Sequence, residues 1–266
     1  MGFLAVLGLV LLQWAWRGGE GFRPTVLAAG VIGPVLLVLA ARRILPQGTF
    51  SARPGLPGLI ATRAMIGATI VLGEAWISLE LIHGGSSAAE AGVFVSSGAI
   101  GWLLGALLQT KLSETDPAVR SKVVLGSAVL LTAFVLVCGA GTAGEWLPLW
   151  VLAVVWFVCG ICGGLIYTSV AVLIFGPHIH SDHPSPAAAL QSGEALASAT
   201  MLAAASVAFR LTSQYAGEYS AFMLVLCLPA AVTAVGALAI IPTVRQLSRE
   251  QAERSHLDGA HRPDLS

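Results

Sequence analysis

The sequence predicts an all-α, polytopic membrane protein with about eight transmembrane helices. Of its 266 residues, 56% are hydrophobic and only 11% are charged, whereas a soluble domain has about 25% charged residues because its surface faces water. The 14 basic and 14 acidic side chains are concentrated in short stretches between long apolar runs. This distribution argues against a soluble enzyme, a disordered chain and a nucleic-acid-binding protein, which would need a basic face.

Eight apolar runs account for most of the chain. The hydrocarbon core of a bilayer is about 30 Å thick and takes roughly 20 helical residues. Clusters of charge, Pro or Gly bound most of the runs, as turns between helices require. We therefore predict helices over residues 2–16, 24–41, 59–82, 91–108, 123–141, 147–175, 187–209 and 221–241.

The two ends of the chain differ in character. The first run starts one residue after the initiator, and it has no positive n-region and no A-x-A-like site near Trp14-Ala15-Trp16, so it differs from a signal peptide. We expect that a helix beginning so abruptly belongs to a chain that has lost its beginning. Residues 244–266 are polar, with charges of both signs, and are predicted to form a solvated tail.

The distribution of basic residues predicts the orientation in the membrane. Placing the tail in the cytoplasm puts ten basic residues on that side, namely Arg42, Arg43, Arg53, Lys111, Arg120, Lys122, Arg245, Arg249, Arg254 and Arg262. The outer loops then hold only Arg17, Arg23 and Arg210. Aromatic residues prefer the interface, and the outer one receives Trp14, Trp16, Trp146, Trp150 and Tyr219. We predict a multi-pass plasma-membrane protein with both termini in the cytoplasm.

Four acidic or basic side chains lie within apolar runs, and one of them, Glu80, is near the outer mouth and is interpreted as solvated. Facing lipid would be costly for the other three, so they are candidates for function. They are Arg63 and Glu74 in the run 59–82, and Glu194 in the run 187–209. Arg63 and Glu74 are 11 residues apart, so they share one helix face at a separation of about 16 Å. Arg63 lies near the cytoplasmic boundary and is either an interface anchor or a gating residue.

Glu74 is the first candidate for a proton carrier. It lies a little outside the midplane and has no opposite charge within two turns, and a carboxyl group that exchanges a proton away from bulk water suits this role. A buried, hydrogen-bonded structural acid is the alternative. Glu194 is shallower and shares the stretch Gln191-Ser192-Gly193-Glu194 with Gln191. We interpret this stretch either as part of a substrate or proton pathway or as a structural acid near the interface.

One loop has the composition of a metal site. Three imidazoles and a carboxylate could bind zinc, and they belong to His178, His180, Asp182 and His183. The Pro and Gly residues on both sides are typical of a plain connector exposed to water, so we predict no metal and no cofactor.

Small residues within the runs predict close helix packing. Cys159 and Cys162 form a C-x-x-C pair inside an apolar run and are interpreted as packing residues. The motifs Gly101-x-x-x-Gly105 and Gly160-x-x-x-Gly164 favour close approach of helix backbones.

Six stretches occur in an order and spacing that point to one family. They are Leu45-Pro46-Gln47-Gly48-Thr49, Arg53-Pro54-Gly55-Leu56-Pro57, Arg63 with Gly73-Glu74-Ala75, Gly98-Ala99-Ile100-Gly101-Trp102-Leu103-Leu104-Gly105, Gly163-Gly164-Leu165-Ile166-Tyr167 ahead of Ser169, and Ala189-Leu190-Gln191 to Glu194-Ala195-Leu196. Together they resemble the C-terminal half of actinobacterial major facilitator superfamily transporters, in the 14-helix drug:proton antiporter-like branch. The loop Leu108-Gln109-Thr110-Lys111 departs from the family's basic Gly-Asp-Arg-containing loop.

The resemblance implies a division of the chain. Residues 1–44 would be two central linker-type helices, residues 45–243 a six-helix C-terminal half, and residues 244–266 a cytoplasmic tail. In this superfamily the substrate path lies between two halves that rock against each other, and the resemblance implies that the N-terminal half is missing here. We therefore expect little or no transport from this chain alone.

The resemblance also implies a function. The full transporter would export small hydrophobic or cationic molecules against inward proton flow, with Glu74 and Glu194 lining the cavity and Arg63 tuning the cytoplasmic entrance. Its partners would be the bilayer, the substrate, protons, and a missing N-terminal half or a second copy, without nucleic acid and without enzymatic activity. Three alternatives stay open: a half-transporter that dimerises, a non-transporting membrane scaffold, and a metal-dependent membrane enzyme that uses the loop 178–183.

Overall fold

The computed structural model describes residues 7, 8, 10, 11, 24–111, 116–176 and 185–260. The described part folds into α-helices joined by short connections, with one short 3-10 helix, Thr49–Ser51, and no strand. The helices are α1 (Pro24–Ile44), α2 (Leu56–His83), α3 (Ala88–Thr110), α4 (Pro117–Ala143), α5 (Leu149–Phe175), α6 (Pro186–Ala216) and α7 (Glu218–Ala260).

In the described part of the chain, six helices, α2 to α7, are long and apolar enough to cross a membrane. This confirms the prediction of an all-α, polytopic membrane protein. The run 24–41 forms α1, and the run 2–16 lies mostly outside the described residues. The described part therefore contains six candidate spans, and the predicted total of eight remains a prediction for the whole chain.

Polar residues at the helix starts explain several of the boundaries. Ser87 and Glu90 form a capping box at α3, in which the Ser87 N–H donates to Glu90 Oε2 (2.7 Å) and the Glu90 N–H donates to Ser87 Oγ (3.2 Å). Asp116 accepts a hydrogen bond from the Ala118 N–H at the start of α4 (2.8 Å). Ser185 caps α6 in the same way. These caps satisfy backbone N–H groups that have no partner within the helix.

Helix α7 continues past the predicted span into the polar tail, as far as Ala260. In this extension the Gln246 side-chain amide donates to Glu250 Oε1 one turn later (2.8 Å), and Leu247 is buried. Pairs at this spacing stabilise a helix whose other faces are solvated. The tail is polar as predicted, but the structure adds a helical conformation that we did not predict.

Helix α2 is the central helix and contacts every helix from α3 to α7. Helix α2 lies against α6 and α7 and makes smaller contacts with α3, α4 and α5. Helix α5 packs against α3 and α4, and α7 packs against α4 and α6. Helix α1 lies at the edge, with its main contact to α6. The side of α2 that faces α5 is therefore enclosed by α3 and α6.

The glycine motifs form the α3–α5 interface, as their spacing predicts. A β-carbon added at Gly105 would overlap the carbonyl oxygen of Ile161, and one at Gly101 would overlap that of Phe157. On the facing helix, a β-carbon at Gly160 or Gly164 would overlap a carbonyl oxygen of α3. The two backbones are thus in direct contact, which only glycine permits.

Candidate functional site

Two of the predicted site residues, Arg63 and Glu194, meet between α2 and α6. Arg63 Nε donates to Glu194 Oε2 at 3.3 Å, and the two side chains are 12% and 26% exposed. Arg63 lies in the second turn of α2, and Glu194 lies at a similar distance from the start of α6. The structure thus joins a positive and a negative residue that lie far apart in the sequence.

Tyr167 of α5 completes this cluster. Its hydroxyl donates to the second carboxylate oxygen, Glu194 Oε1, at 2.8 Å. The guanidinium carbon of Arg63 lies 4.3 Å from the centre of the Tyr167 ring, where the face of an aromatic ring attracts a cation. The positive charge of Arg63 is therefore stabilised by the Glu194 carboxylate and by the face of the Tyr167 ring. We call Arg63, Tyr167 and Glu194 the ion-pair cluster.

Gly67 makes room for the ion-pair cluster. It lies one turn after Arg63 on the same face of α2 and is buried. A β-carbon at this position would overlap the Tyr167 hydroxyl and would lie 2.8 Å from Glu194 Cγ. Any other residue would have to push at least one of these groups away.

Glu74 lies farther along the same face of α2, in a second environment. It lines a cavity of about 310 Å³ together with Ile70 of α2, Trp102 and Gly98 of α3, and Trp156 of α5. Ile70 and Glu74 are four residues apart, and Arg63 is eleven residues before Glu74. Residues at these spacings lie on one face of a helix. The predicted sharing of a face by Arg63 and Glu74 agrees with this arrangement, because both point to α5.

The Glu74 carboxylate has no partner among the described residues: it forms neither a hydrogen bond nor an ion pair with any of them. Trp156 is 1% exposed, and Gly98 leaves the space that its indole occupies. The cavity therefore combines one acidic group with two indole rings and little other polarity. Its local charge is negative whenever Glu74 is ionised.

Trp102 separates the cavity from the ion-pair cluster. Its ring lines the cavity and contacts the Tyr167 ring edge-on, with the ring centres 4.4 Å apart. Gly163 of α5 lies beneath it, since a β-carbon there would be 3.0 Å from the Trp102 ring. The two sites are thus neighbours along α2 and α5, with one aromatic ring between them.

The other predicted residues lie elsewhere. Gln191 is exposed on α6 and, within the described residues, forms no hydrogen bond or ion pair with the cluster. His178, His180, Asp182 and His183 lie outside the described residues. In the part of the chain that is described, no group of three or more His, Cys, Asp or Glu side chains could hold a metal ion.

No protein-family model matches the chain, and no curated protein or solved structure matches it either. The resemblance to major facilitator transporters therefore rests on the sequence motifs alone.

Sequence reasoning missed the roles of Tyr167 and Gly67 in this site. One signal could have found the cluster: Arg63, Tyr167 and Glu194 each lie about two turns from a helix end, and alternation of the spans puts those three ends on the same side of the membrane. Equal depth and opposite charge together favour an ion pair, because an unpaired charge in a span is costly.

Proposed function

We propose that this chain is a transport protein of the plasma membrane, in which the Glu74 cavity binds a proton or a small organic cation. The observation that supports this proposal is an acidic group without a partner among the described residues, held between two indoles inside a candidate span. A carboxylate within a span is costly unless it has a function or a partner. Aromatic faces next to a carboxylate favour a cation with apolar substituents.

The proposed chemistry is competition for one carboxylate. When Glu74 is protonated, the cavity is neutral and the indoles alone attract a cation weakly. When the proton leaves, the carboxylate attracts the cation directly. Proton and substrate then exclude each other, so movement of one in one direction is coupled to movement of the other in the opposite direction. This exchange is what proton-coupled efflux requires.

In this proposal the ion-pair cluster controls access to the cavity. Arg63 and Glu194 hold α2 against α6, and Tyr167 holds both of them against α5. Separating α6 from α2 would break the Arg63–Glu194 ion pair and the hydrogen bond from Tyr167 to Glu194. A concerted opening of this kind follows from packed helices, which move as rigid units.

A complete path needs a second wall opposite α3 and α6. Of the six candidate spans, α6 is the least buried, with 17% of its apolar stretch covered, compared with 56% for α7. By the family resemblance, residues 45–243 form one half, and the opposite wall would come from an N-terminal six-helix half. A second copy of the chain is the alternative, and an interchain crosslink between cysteines introduced on α6, accompanied by flux, would favour it.

The test is flux of an organic cation in inverted membrane vesicles. We expect proton-driven accumulation of ethidium in vesicles that contain the completed transporter, and its loss in Glu74→Gln, which keeps the shape of the side chain but cannot ionise. Glu80→Gln, on the same helix but outside the cavity, is the matched control. Both variants should insert and purify like the parent chain. Unchanged efflux in Glu74→Gln would remove Glu74 from the mechanism.

A binding assay tests the Glu74 cavity independently of a complete transport path. The purified chain should bind tetraphenylphosphonium more weakly as the proton concentration rises, and Glu74→Gln should lose this dependence. Binding without flux would assign the missing step to the second half of the path. Absence of any binding by the parent chain would contradict the proposed cavity.

A further inference from the structure

A second cavity lies on the other side of α2 and α6, away from Glu74. It is a cleft of about 590 Å³ between α1, the 3-10 helix, α2, α6 and α7. Most of its lining is apolar and includes Leu45, Phe50, Met65, Leu196, Met201 and Leu238. Among the described residues, no acidic or basic side chain lines it. The cleft is therefore unsuited to the cation proposed for the Glu74 cavity.

The cleft opens sideways, toward the surroundings of the helix bundle. Phe50 is 68% exposed and Leu238 is 64% exposed, although both line it. Helix α1 has its main contact with α6, so it stands away from α2 and α7 across the cleft. An empty gap between apolar surfaces forfeits dispersion contacts. In a bilayer, the acyl chains of the surrounding lipids can fill such a gap.

One end of the cleft is bordered by basic residues. Arg42 and Arg43 in the last turn of α1 lie between the lining residues Ala41 and Leu45. Arg53 directly follows the lining residue Ala52. All three arginines are exposed, and no carboxylate in the described part of the chain forms an ion pair with them.

Helix α7 adds charge of the same sign. Arg245 is exposed and follows Pro242, which lines the cleft, by three residues on the same helix. Residues at this spacing lie on neighbouring positions of one helix face. The end of the cleft is thus positive on both α1 and α7. These arginines lie on the side that the sequence predicts to be cytoplasmic, where the anionic lipids of a membrane are concentrated.

We propose that the cleft binds an anionic phospholipid, with an acyl chain between α1 and the bundle and the phosphate group beside Arg42, Arg43 and Arg53. The apolar lining suits the hydrocarbon of the acyl chain, and the positive charge of the arginines at its end suits the negative charge of the headgroup. This inference is independent of the transport proposal, because in the described part of the chain the cleft shares no lining residue with the Glu74 cavity.

The bound lipid also has a structural consequence. Ala64 and Gly193 line the cleft, while their neighbours Arg63 and Glu194 form the ion pair between the same two helices. An acyl chain in the cleft would therefore contact α2 and α6 on the side opposite the ion pair and stabilise their packing. We expect lipid binding to raise the stability of the whole bundle, as any ligand of the folded state does.

The test compares two lipids with identical acyl chains. The purified full-length chain in neutral detergent is titrated with phosphatidylglycerol or phosphatidylcholine, and bound lipid is counted by native mass spectrometry while the thermal unfolding midpoint is followed. We expect one retained phosphatidylglycerol and a higher midpoint with that lipid alone. Equal effects of the two lipids would overturn the proposal by showing an unselective apolar gap, and no retained lipid would overturn it by showing that protein closes the cleft.

Substitutions distinguish binding of the lipid headgroup from binding of the acyl chain. Each arginine beside an anionic lipid headgroup contributes about fivefold to binding, so Arg42→Gln with Arg43→Gln should weaken phosphatidylglycerol roughly 25-fold. The control, Lys122→Gln with Arg210→Gln, removes the same charge at other places and should bind as the parent does. Ala197→Phe fills the cleft and should remove lipid, whereas Glu74→Gln should keep it. Full binding by Ala197→Phe or by the arginine variant would overturn the proposed site.

Discussion

At the scale of single residues, Gly67 sets how closely α5 and α6 approach α2. Its missing side chain leaves the space that the Tyr167 hydroxyl and the Glu194 side chain occupy. A glycine inside a helix lowers its stability by about 0.5–1 kcal/mol relative to alanine. At position 67 this cost is offset by the packing that the missing side chain allows. The ion-pair cluster therefore depends on a residue that contributes no functional group.

We predict that Gly67→Ala destabilises the bundle by about 1–3 kcal/mol, because the added methyl group overpacks the cluster. The measurement is the midpoint of thermal unfolding of the purified chain in detergent. Gly92→Ala is the control, since a β-carbon at Gly92 meets nothing within 4 Å, and it should leave the midpoint unchanged or slightly higher. Equal midpoints for Gly67→Ala and Gly92→Ala would show that the cluster tolerates the methyl group.

The ion pair itself gives a second prediction at this scale. Removing one partner leaves a poorly solvated charge, so Glu194→Gln or Arg63→Gln alone should cost about 3 kcal/mol. Tyr167→Phe removes a single hydrogen bond and should cost only about 1 kcal/mol. The double variant Arg63→Met with Glu194→Leu replaces both charges by apolar groups and should recover most of the loss. The cycle is closed with Arg63→Met and Glu194→Leu as single variants, and purely additive effects in it would contradict the pairing.

The site could be predicted only in part from the sequence. Arg63, Glu74 and Glu194 are recognisable because charge within an apolar run is rare. Their partners are not, because three spans lie between Arg63 on α2 and Glu194 on α6, and the rotation of each helix about its axis decides which side chains meet. Tyr167 has no sequence signal of its own, since aromatic residues are common in apolar helices. Contact with Arg63 and Glu194 gives it a role.

At the scale of elements, the spacing of glycines predicts that helices approach closely but does not say which ones. The structure pairs Gly101 and Gly105 of α3 with Gly160 and Gly164 of α5. This contact holds α3 in the bundle, because its contacts with α2 are few. It also places Gly98 and Trp102 beside the Glu74 cavity. Packing of these two helices is thus a condition for the shape of the candidate site.

A substitution at this interface should separate the two helices. We predict that Gly105→Val lowers the unfolding midpoint by several degrees, since the new side chain would overlap the Ile161 backbone, which cannot turn away. Gly126→Val is the matched control, because a β-carbon at Gly126 of α4 meets nothing within 4 Å. Cation binding at the Glu74 cavity should fall in Gly105→Val only. Similar midpoints for the two variants would argue against backbone contact between α3 and α5.

At the scale of the whole molecule, composition alone predicts a polytopic helical protein, and the six candidate spans confirm it. The order of the helices in space could not be predicted in this way. Periodicity is weak in helices that are apolar on all sides, because lipid and protein neighbours favour the same side chains. Polar and small residues on α2 and α5 instead mark which faces meet, and both candidate sites lie along that contact.

Orientation in the membrane is a property of the whole chain, and it yields the last prediction. With ten basic residues on one side and three on the other, the positive-inside rule places the extension of α7 in the cytoplasm and the α6–α7 connection outside. Tyr215, in the last turn of α6 beside the α6–α7 connection, and Gln246, in the extension of α7, are both exposed and lie at opposite ends of the span in α7.

The four native cysteines are first replaced by serine or alanine, since Cys138, Cys159 and Cys162 are buried but Cys227 is partly accessible. In this background, Tyr215→Cys should react with a membrane-impermeant maleimide in intact cells. Gln246→Cys should react only after the cells are permeabilised. The reverse pattern would invert the topology and place the arginines of the lipid cleft at the outer surface. Because anionic lipids are concentrated in the cytoplasmic leaflet, that result would also weaken the match between the cleft and its proposed ligand.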